Sequence, residues 1–596
     1  MVDGRRATAL TILTAILGLS APAHASAPPF DADVVTMRVD AGHDGSAPDG
    51  GARRASLSGD GGKVAFVSLA GNLVPDDTNG AADVFVHDFD DASTRLVSVA
   101  TDGTQGDDDS GSPVLQSGVP AAISADGSTV VFESDATNLV TGDTNGTTDV
   151  FVHDVASGTT DRVSVSSDSA EANGASRSVA ISNDGGIVAF LSSATTLAAD
   201  APFSGLYVHD LDSGTTDLVS LSNTGEPVVA EGIASLSGDG RHVAFESADP
   251  ATANDTNGQY DVFERNLATG VTRLVSVTSS GAQLVGNDPD EFFPQGAALS
   301  FNGRYVAFAS DANNMPPPNE PNDGTDVFVH DRKTGTTSQA SVSTSGGSGS
   351  YAEYPTMSDD GRFVGFRSSA VLAPCGTNAY NTGFSGLYVR DVVEGATIRV
   401  STTDGGVAVP TSSFSGSRLD LSADGRVAAF TSDLPLTPDD DDDLPNVFVH
   451  DVPAPIGAPD AAIALGDGRL VGAGNCHPGT AFQTKWATVG PGTTIWFRLR
   501  LENLSTFPDA IVLDGDPGAT GFAVSYFRGD RDVTEAVLAG TQRTRVLGAG
   551  ETATYRLRIR VRGSAVPGDH LRVLVHAASD LRPAVSDVVR AVVSVD

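Results

Sequence analysis

A chain of 596 residues with a formal net charge of −40 and 19% charged residues is too long for one ordinary domain and too acidic to take nucleic acid or an anionic membrane surface as a partner. From Asp460 onward 14 acidic residues stand against 15 basic ones, so the negative excess lies in the earlier part, where it favours solubility and cations. The 66 glycines and the lack of any long amphipathic helical pattern point to an all-β chain of short strands and turns.

The first 25 residues read as a secretory signal peptide. Arg5 and Arg6 supply the charged start, residues 7–19 are apolar, and Ala23-His24-Ala25 is a small-x-small cleavage site. The apolar run is too short to span a bilayer. The expectation is a secreted, extracellular monomer with no membrane insertion.

From there a double mark recurs. Its first half is Ser-x-Asp-Gly (Asn for Asp once) followed by an apolar run ending in Phe, as in SGDGGKVAF at Ser58 and SADGSTVVF at Ser124. It returns at Ser182, Ser237, Ser300, Ser358 and Ser422, in steps of 55 to 66 residues. Its second half is an acidic loop running into a strand, as in DTNGTTDVFVHD from Asp143. In the second repeat, residues 121–124 form strand a, Asp126-Gly127 the tight turn, 129–134 strand b, 149–154 strand c and 160–166 strand d. Such strands are too short to stand alone, so the repeats must stack on one another, as propeller blades do. The seventh repeat ends after strand c at 447–451, and the orphan strand d is 34–39 (VVTMRV), which would close the ring and remove the open edge. Residues 31–451 therefore read as a seven-bladed β-propeller.

These marks resemble the WD40-like (TolB-type) β-propeller repeats of bacterial exported proteins, over roughly 420 residues. The resemblance implies a scaffold with many uses. The chain departs from TolB itself in lacking a preceding α/β domain, so a role in envelope assembly is not carried over.

Residues 452–475 form a Pro/Gly-rich linker. Residues 476–596 alternate apolar with Arg or Thr, as in TTIWFRLRL from Thr493 and TATYRLRIRV from Thr552. An immunoglobulin-like β-sandwich is expected, similar to the Ig-like modules of bacterial secreted proteins. Trp496 is assigned to its core; Trp486 is either core or an exposed binding aromatic. The two cysteines, Cys375 and Cys476, are expected to remain unpaired, since they start from opposite faces of the ring.

Two kinds of candidate site follow. The acidic loops place Asp77, Asn79 and Asp83; Asp143, Asn145 and Asp149; and Asp255, Asn257 and Asp261 around a glycine. Hard oxygens at that spacing suit Ca²⁺, the one cofactor suggested, while the competing reading is an Asx-turn that starts strand c. The second kind lies where the repeats differ, in the loops sharing one face. Asp288, Asp290, Glu291, Phe292 and Phe293 are the ligand-binding candidates there. His87, His153, His209, His330 and His450 occupy one repeated place and are assigned hydrogen bonds within their own repeats. No catalytic triad or hydrolase motif is recognisable. The expectation is an exported, non-enzymatic binding or scaffold protein that uses the loop face to hold a protein or glycan ligand. The alternatives are a glycan-processing enzyme using paired carboxylates such as Asp288, Asp290 and Glu291, or a purely structural surface component.

Overall fold

In the computed structural model the described residues are 36–111, 118–199, 201, 203–286, 296–315, 324–343, 351–370, 372, 386–402, 418–437, 439, 440, 442, 444–452, 459–466, 484–503, 509–548, 551–580 and 586–595. The proposed signal peptide, both cysteines and Asp288, Asp290, Glu291, Phe292 and Phe293 lie outside them. Apart from one short helix, Thr534–Leu538, the regular structure is all strand.

Residues up to Asp451 form seven four-stranded sheets, giving a propeller-like all-β fold. Sheet 1 runs Ala52–Leu57, Lys63–Ser68, Asp83–Asp88 and Ser93–Leu96 as strands a to d. Sheet 2 repeats this with Ala121–Ile123, Thr129–Ser134, Asp149–Asp154 and Thr159–Arg162, and sheets 3 to 6 follow in chain order. Sheet 7 contains Leu419–Leu421, Val427–Ser432 and Asn446–Asp451. Its fourth strand is Thr36–Arg38, antiparallel, with Met37 opposite Val449.

The Ser-x-Asp-Gly mark explains the a–b turn. The Ser58 hydroxyl donates to the Asp60 carboxylate at 2.8 Å and accepts from the Lys63 N–H, while Asp60 also accepts from the Gly62 N–H. Gly61 takes the left-handed φ of 72° that the turn requires. The x residue has a separate task. Gly59 N–H donates to the Ala125 carbonyl, Ala125 to Asn183 and Asn183 to Gly238; Asp239 donates to Phe301, Phe301 to Asp359, Asp359 to Ala423, and Ala423 back to Gly59, all at 2.8–3.0 Å. Seven backbone bonds thus form one closed circuit around the axis.

Apolar packing follows the same cycle. Each of seven buried clusters spans two consecutive sheets, and one returns from Val427, Ala429, Val447 and Val449 of sheet 7 to Val64, Phe66 and Phe85 of sheet 1. The repeated histidines add a polar link. His153 Nδ1 lies 2.9 Å from the Thr160 hydroxyl, which donates to the Val99 carbonyl of the preceding sheet. The same arrangement joins His209 with Thr216 to Val165, and His330 with Thr337 to Val277. At the ring closure His450 Nδ1 sits 2.9 Å from Thr36, which donates to the Thr402 carbonyl of sheet 6.

Residues 459–595 form two five-stranded sheets with one apolar core between them. The long strands Thr494–Asn503 and Thr552–Val561 alternate buried positions with mostly half-buried ones, as strands with one face on a core do. Trp486 is 61% exposed. Trp496 is not a core residue: it is half-buried, against Phe527 at 5.3 Å, with Arg556 and Arg558 over its ring.

The closing strand carries its own charge lock. The Arg38 guanidinium, 3% exposed, meets Asp442 at 2.5 Å, Asp40 at 3.4 Å and Asp440 at 4.0 Å. Removing the cation strands buried carboxylates, so Arg38→Met should lose about 3–5 kcal/mol of unfolding free energy, read by denaturant titration; an unchanged midpoint would show that the lock contributes nothing.

Candidate functional site

The acidic loops come first, because the sequence singles them out. Asn79 turns its carbonyl oxygen to the Ala81 N–H and gives its amide to Asp83 at 2.8 Å; Asn145 does the same with Thr147 and Asp149. The strand-c aspartates accept from strand-d serines, Asp83 from Ser98 at 2.6 Å and Asp149 from Ser164 at 2.5 Å. These are the bonds of an Asx-turn and a strand start.

In sheet 2 the carboxylates of Asp143, Asp149 and Glu171 converge within 4.8 Å. Arg162 stands between them, at 3.5, 3.2 and 2.6 Å respectively. Against the cost of burial, hydrogen bonds from Thr144 and Arg162 hold Glu171 down to about 2, whereas burial, with Asp149 nearby, pushes Asp143 up to about 6. A guanidinium here takes the place a metal would use. In sheet 4 the corresponding strand residue is Leu274, and Gln283 donates to Asp255 at 2.8 Å and Asp261 at 2.6 Å. Burial, with Asp255 adding a like charge, raises Asp261 to about 7, and Asp255 Oδ2 has no hydrogen-bond partner among the described residues.

A second site lies on the axis, in a cavity of about 280 Å³ lined by the a strands of all seven sheets. Its floor is the circuit of a–b turns, where Asn183 of sheet 3 donates across to Asp359 of sheet 6 at 2.8 Å. The seven repeats allow each lining position to be compared with its counterparts. At the x position, sheets 1 to 7 carry Gly59, Ala125, Asn183, Gly238, Phe301, Asp359 and Ala423. Two residues before the serine they carry Ser56, Ala122, Ala180, Ser235, Ala298, Thr356 and Asp420. Each position has one carboxylate, and the two belong to adjacent sheets. Burial raises Asp359 to about 6 against the hydrogen bond from Asn183. Burial also raises Asp420, against the Leu57 and Leu421 N–H groups that donate to it.

Four residues before the serine stand Arg54, Pro120, Ser178, Ile233, Gly296, Tyr354 and Arg418, all lining the cavity except Ser178. Tyr354, Arg418 and Arg54 come from consecutive sheets 6, 7 and 1 and make a cationic, aromatic arc; Pro120 and Ile233 make the apolar wall. Arg54 and Tyr354 hold φ of 62° and 54° at bulges in strand a. Non-glycine residues in that region cost about 1–3 kcal/mol each, and Ser178 shares the conformation at the same place in sheet 3, so it belongs to the bulge of strand a. The left-handed Ser178 and Gly296 backbones are pinned by carboxylates of the preceding sheets, Glu133 accepting from the Ser178 N–H at 3.1 Å and Glu246 from the Gly296 N–H at 3.0 Å.

Sequence reasoning missed Arg54, Tyr354, Asp359, Arg418 and Asp420. The signal was present in the aligned repeats, where each breaks a small or apolar pattern, but it lay in strands and tight turns while attention went to long loops.

No protein-family model matches the chain, and no curated protein matches it. Among solved structures it is similar to a family 123 glycoside hydrolase from Clostridium perfringens, at 10% identity over 23% of this chain and 27% of that one, TM-score 0.16. It is also similar to the GH74 enzyme of Niastella koreensis, at 11% identity over 83% of this chain and 85% of that one, TM-score 0.26. The chain thus spans about a quarter of the first and most of the second. Both neighbours are glycoside hydrolases, a finding that stands against the expected non-enzymatic binding protein and on the side of its alternative, without assigning this chain an activity. Likeness at these TM-scores transfers no residue roles, so the case for an enzyme rests on the cavity.

Arg162→Leu leaves three facing carboxylates without a cation. It should destabilise the chain by about 3–5 kcal/mol at pH 7 and make its melting temperature rise on adding Ca²⁺. A variant that melts like the parent, with and without the ion, would contradict the account of that cluster.

Proposed function

We propose that this chain is a glycan-processing enzyme working in the axial cavity of a seven-bladed β-propeller, closed by its N-terminal strand and followed by an immunoglobulin-like module. The observation that carries the reading is the pair of cavity-lining aspartates, Asp359 and Asp420, each without a carboxylate counterpart in the other six repeats. Cleaving a glycosidic bond calls for one carboxyl that delivers a proton to the leaving oxygen and a second that serves the opposite side of the sugar ring. A proton donor must remain protonated near the working pH, which burial achieves for Asp359. Asp359 is the acid in this reading and Asp420 completes the pair. The cavity is small, just under the ~300 Å³ where ligand sites usually begin, which suits the end of a glycan chain better than its middle. An exported enzyme of this kind would meet extracellular glycans.

Calcium is a second element of the proposal, confined to sheet 4, where the buried Asp255 Oδ2 faces a loop with no arginine in the place of Arg162. Two oxygens from Asp255 and Asp261 would begin a shell that backbone carbonyls and water complete. Melting with calcium and with chelator tests it: a rise of a few degrees that Asp261→Asn abolishes is expected, and identical curves would end it.

The enzyme reading is tested by hydrolysis of a glycan panel. Asp359→Asn should lower kcat by about 10²–10⁴-fold while the chain still melts cooperatively. Parent activity should fall as pH rises through about 6, where Asp359 loses its proton. Because the folded-state pKa lies above the unfolded value, Asp359 favours folding below about pH 4, and that contribution is lost as pH rises through 6. Asp359→Asn should therefore be more stable than the parent at pH 8 while inactive. Full activity in this variant, or no hydrolysis of any glycan by the parent, would sink the assignment.

A further inference from the structure

We propose that the rim of the axial cavity binds the carboxylate of an acidic sugar, with Arg54 and Arg418 clamping it beside the Tyr354 ring; this rests on the glycan-processing reading and names its substrate class. In a chain of net charge −40, two guanidinium groups from adjacent sheets converge on one small cavity. Several buried arginines elsewhere in the ring are locked by acids. Arg38, Arg162 and Arg332 each meet an acid at 2.5, 2.6 and 2.7 Å. Arg418 forms no ion pair among the described residues. Its guanidinium lies 4.5 Å from the centre of the Tyr354 ring, and its Nε–H has no hydrogen-bond partner. Burial, and next the charge of Arg54, lower Arg418 to about 9. Glu133 and Glu246 act on Arg54 and Arg418 respectively through space, and the planar guanidinium fork matches a further carboxylate in two parallel hydrogen bonds.

The surroundings fit a sugar. Pro120 and Ile233 of sheets 2 and 4 offer apolar surface in the same cavity. Asp420 lies two residues beyond Arg418 on the same strand face, about 7 Å deeper. A carboxylate held at Arg418 leaves its sugar in the cavity that Asp420 and Asp359 also line.

The test is calorimetric titration of the full chain with a galacturonate trisaccharide, its carboxyl-reduced neutral counterpart and a sulfated trisaccharide. The expected result is binding of the uronate at least tenfold tighter than the neutral sugar. Arg418→Met and Arg54→Met should weaken it more than tenfold, and Arg418→Lys should recover part of it. Should a Met variant fail to melt cooperatively, the Lys variants and the neutral sugar read the same quantity. Equal affinity for the neutral sugar, or uronate binding indifferent to both arginines, would overturn the proposal, and preference for the sulfated sugar would overturn the carboxylate assignment. Arginine-dependent uronate binding without turnover would uphold this site and reject the enzyme reading. Turnover of neutral glycans without uronate binding would do the reverse.

Discussion

Closure is the constraint on which the rest of this structure depends. Seven short sheets have no stability singly, and each finds its apolar partner only in the next. The seventh must find the first. It does so through a circuit of seven turn-to-turn hydrogen bonds, an apolar cluster shared by sheets 7 and 1, and a strand borrowed from the start of the chain. The circuit sits at one end of the axis, so it also makes the floor of the cavity.

Pseudo-symmetry then separates structure from chemistry. Residues that recur serve the ring: the turn serines, the strand-c aspartates bonded to strand-d serines, and the histidine–threonine pairs that reach the preceding sheet. Where His is replaced, Arg265 and Arg390 reach Thr272 and Thr397 at 2.9 and 3.0 Å and keep the link. Residues that occur once need another explanation. Some are still structural. Glu264 replaces the valine of other c strands, yet it is buried against His242 at 2.5 Å and Arg332 at 2.7 Å, a lock between sheets 4 and 5. Among the singular residues of the axial cavity, Asp359 and Asp420 accept uncharged hydrogen bonds, from the Asn183 amide and from the Leu57 and Leu421 N–H groups. Asp359 and Asp420 are held toward their protonated forms, and Arg418 stacks on a tyrosine instead of pairing with an acid.

The acidic loops show how one motif is used for different ends. Asp143 and Asp149 close around Arg162, whereas Asp255 and Asp261 share Gln283 beside Leu274. The difference lies in strand d and in the next d–a loop, more than a dozen residues from the DTNG mark, so the loop sequence alone does not reveal which sites are internally neutralised. Trp496 teaches the same lesson. Its alternation placed it in a strand, but Arg556 and Arg558 on the paired strand take its face, which keeps it out of the core.

What the sequence alone determined was the repeat: strand positions, the tight turn, the acidic loop and the orphan strand at 34–39 all follow from local patterns, because short-range backbone chemistry writes itself at fixed offsets. What only the tertiary structure decided was which residues meet. Arg54 and Arg418 stand 364 positions apart in the chain and become neighbours because the ring closes between sheets 7 and 1. Periodicity reports the face on which a side chain lies, but the convergence of seven inner strands on one axis is a long-range property, and with it comes the cavity that gathers an arginine pair, a tyrosine and two aspartates.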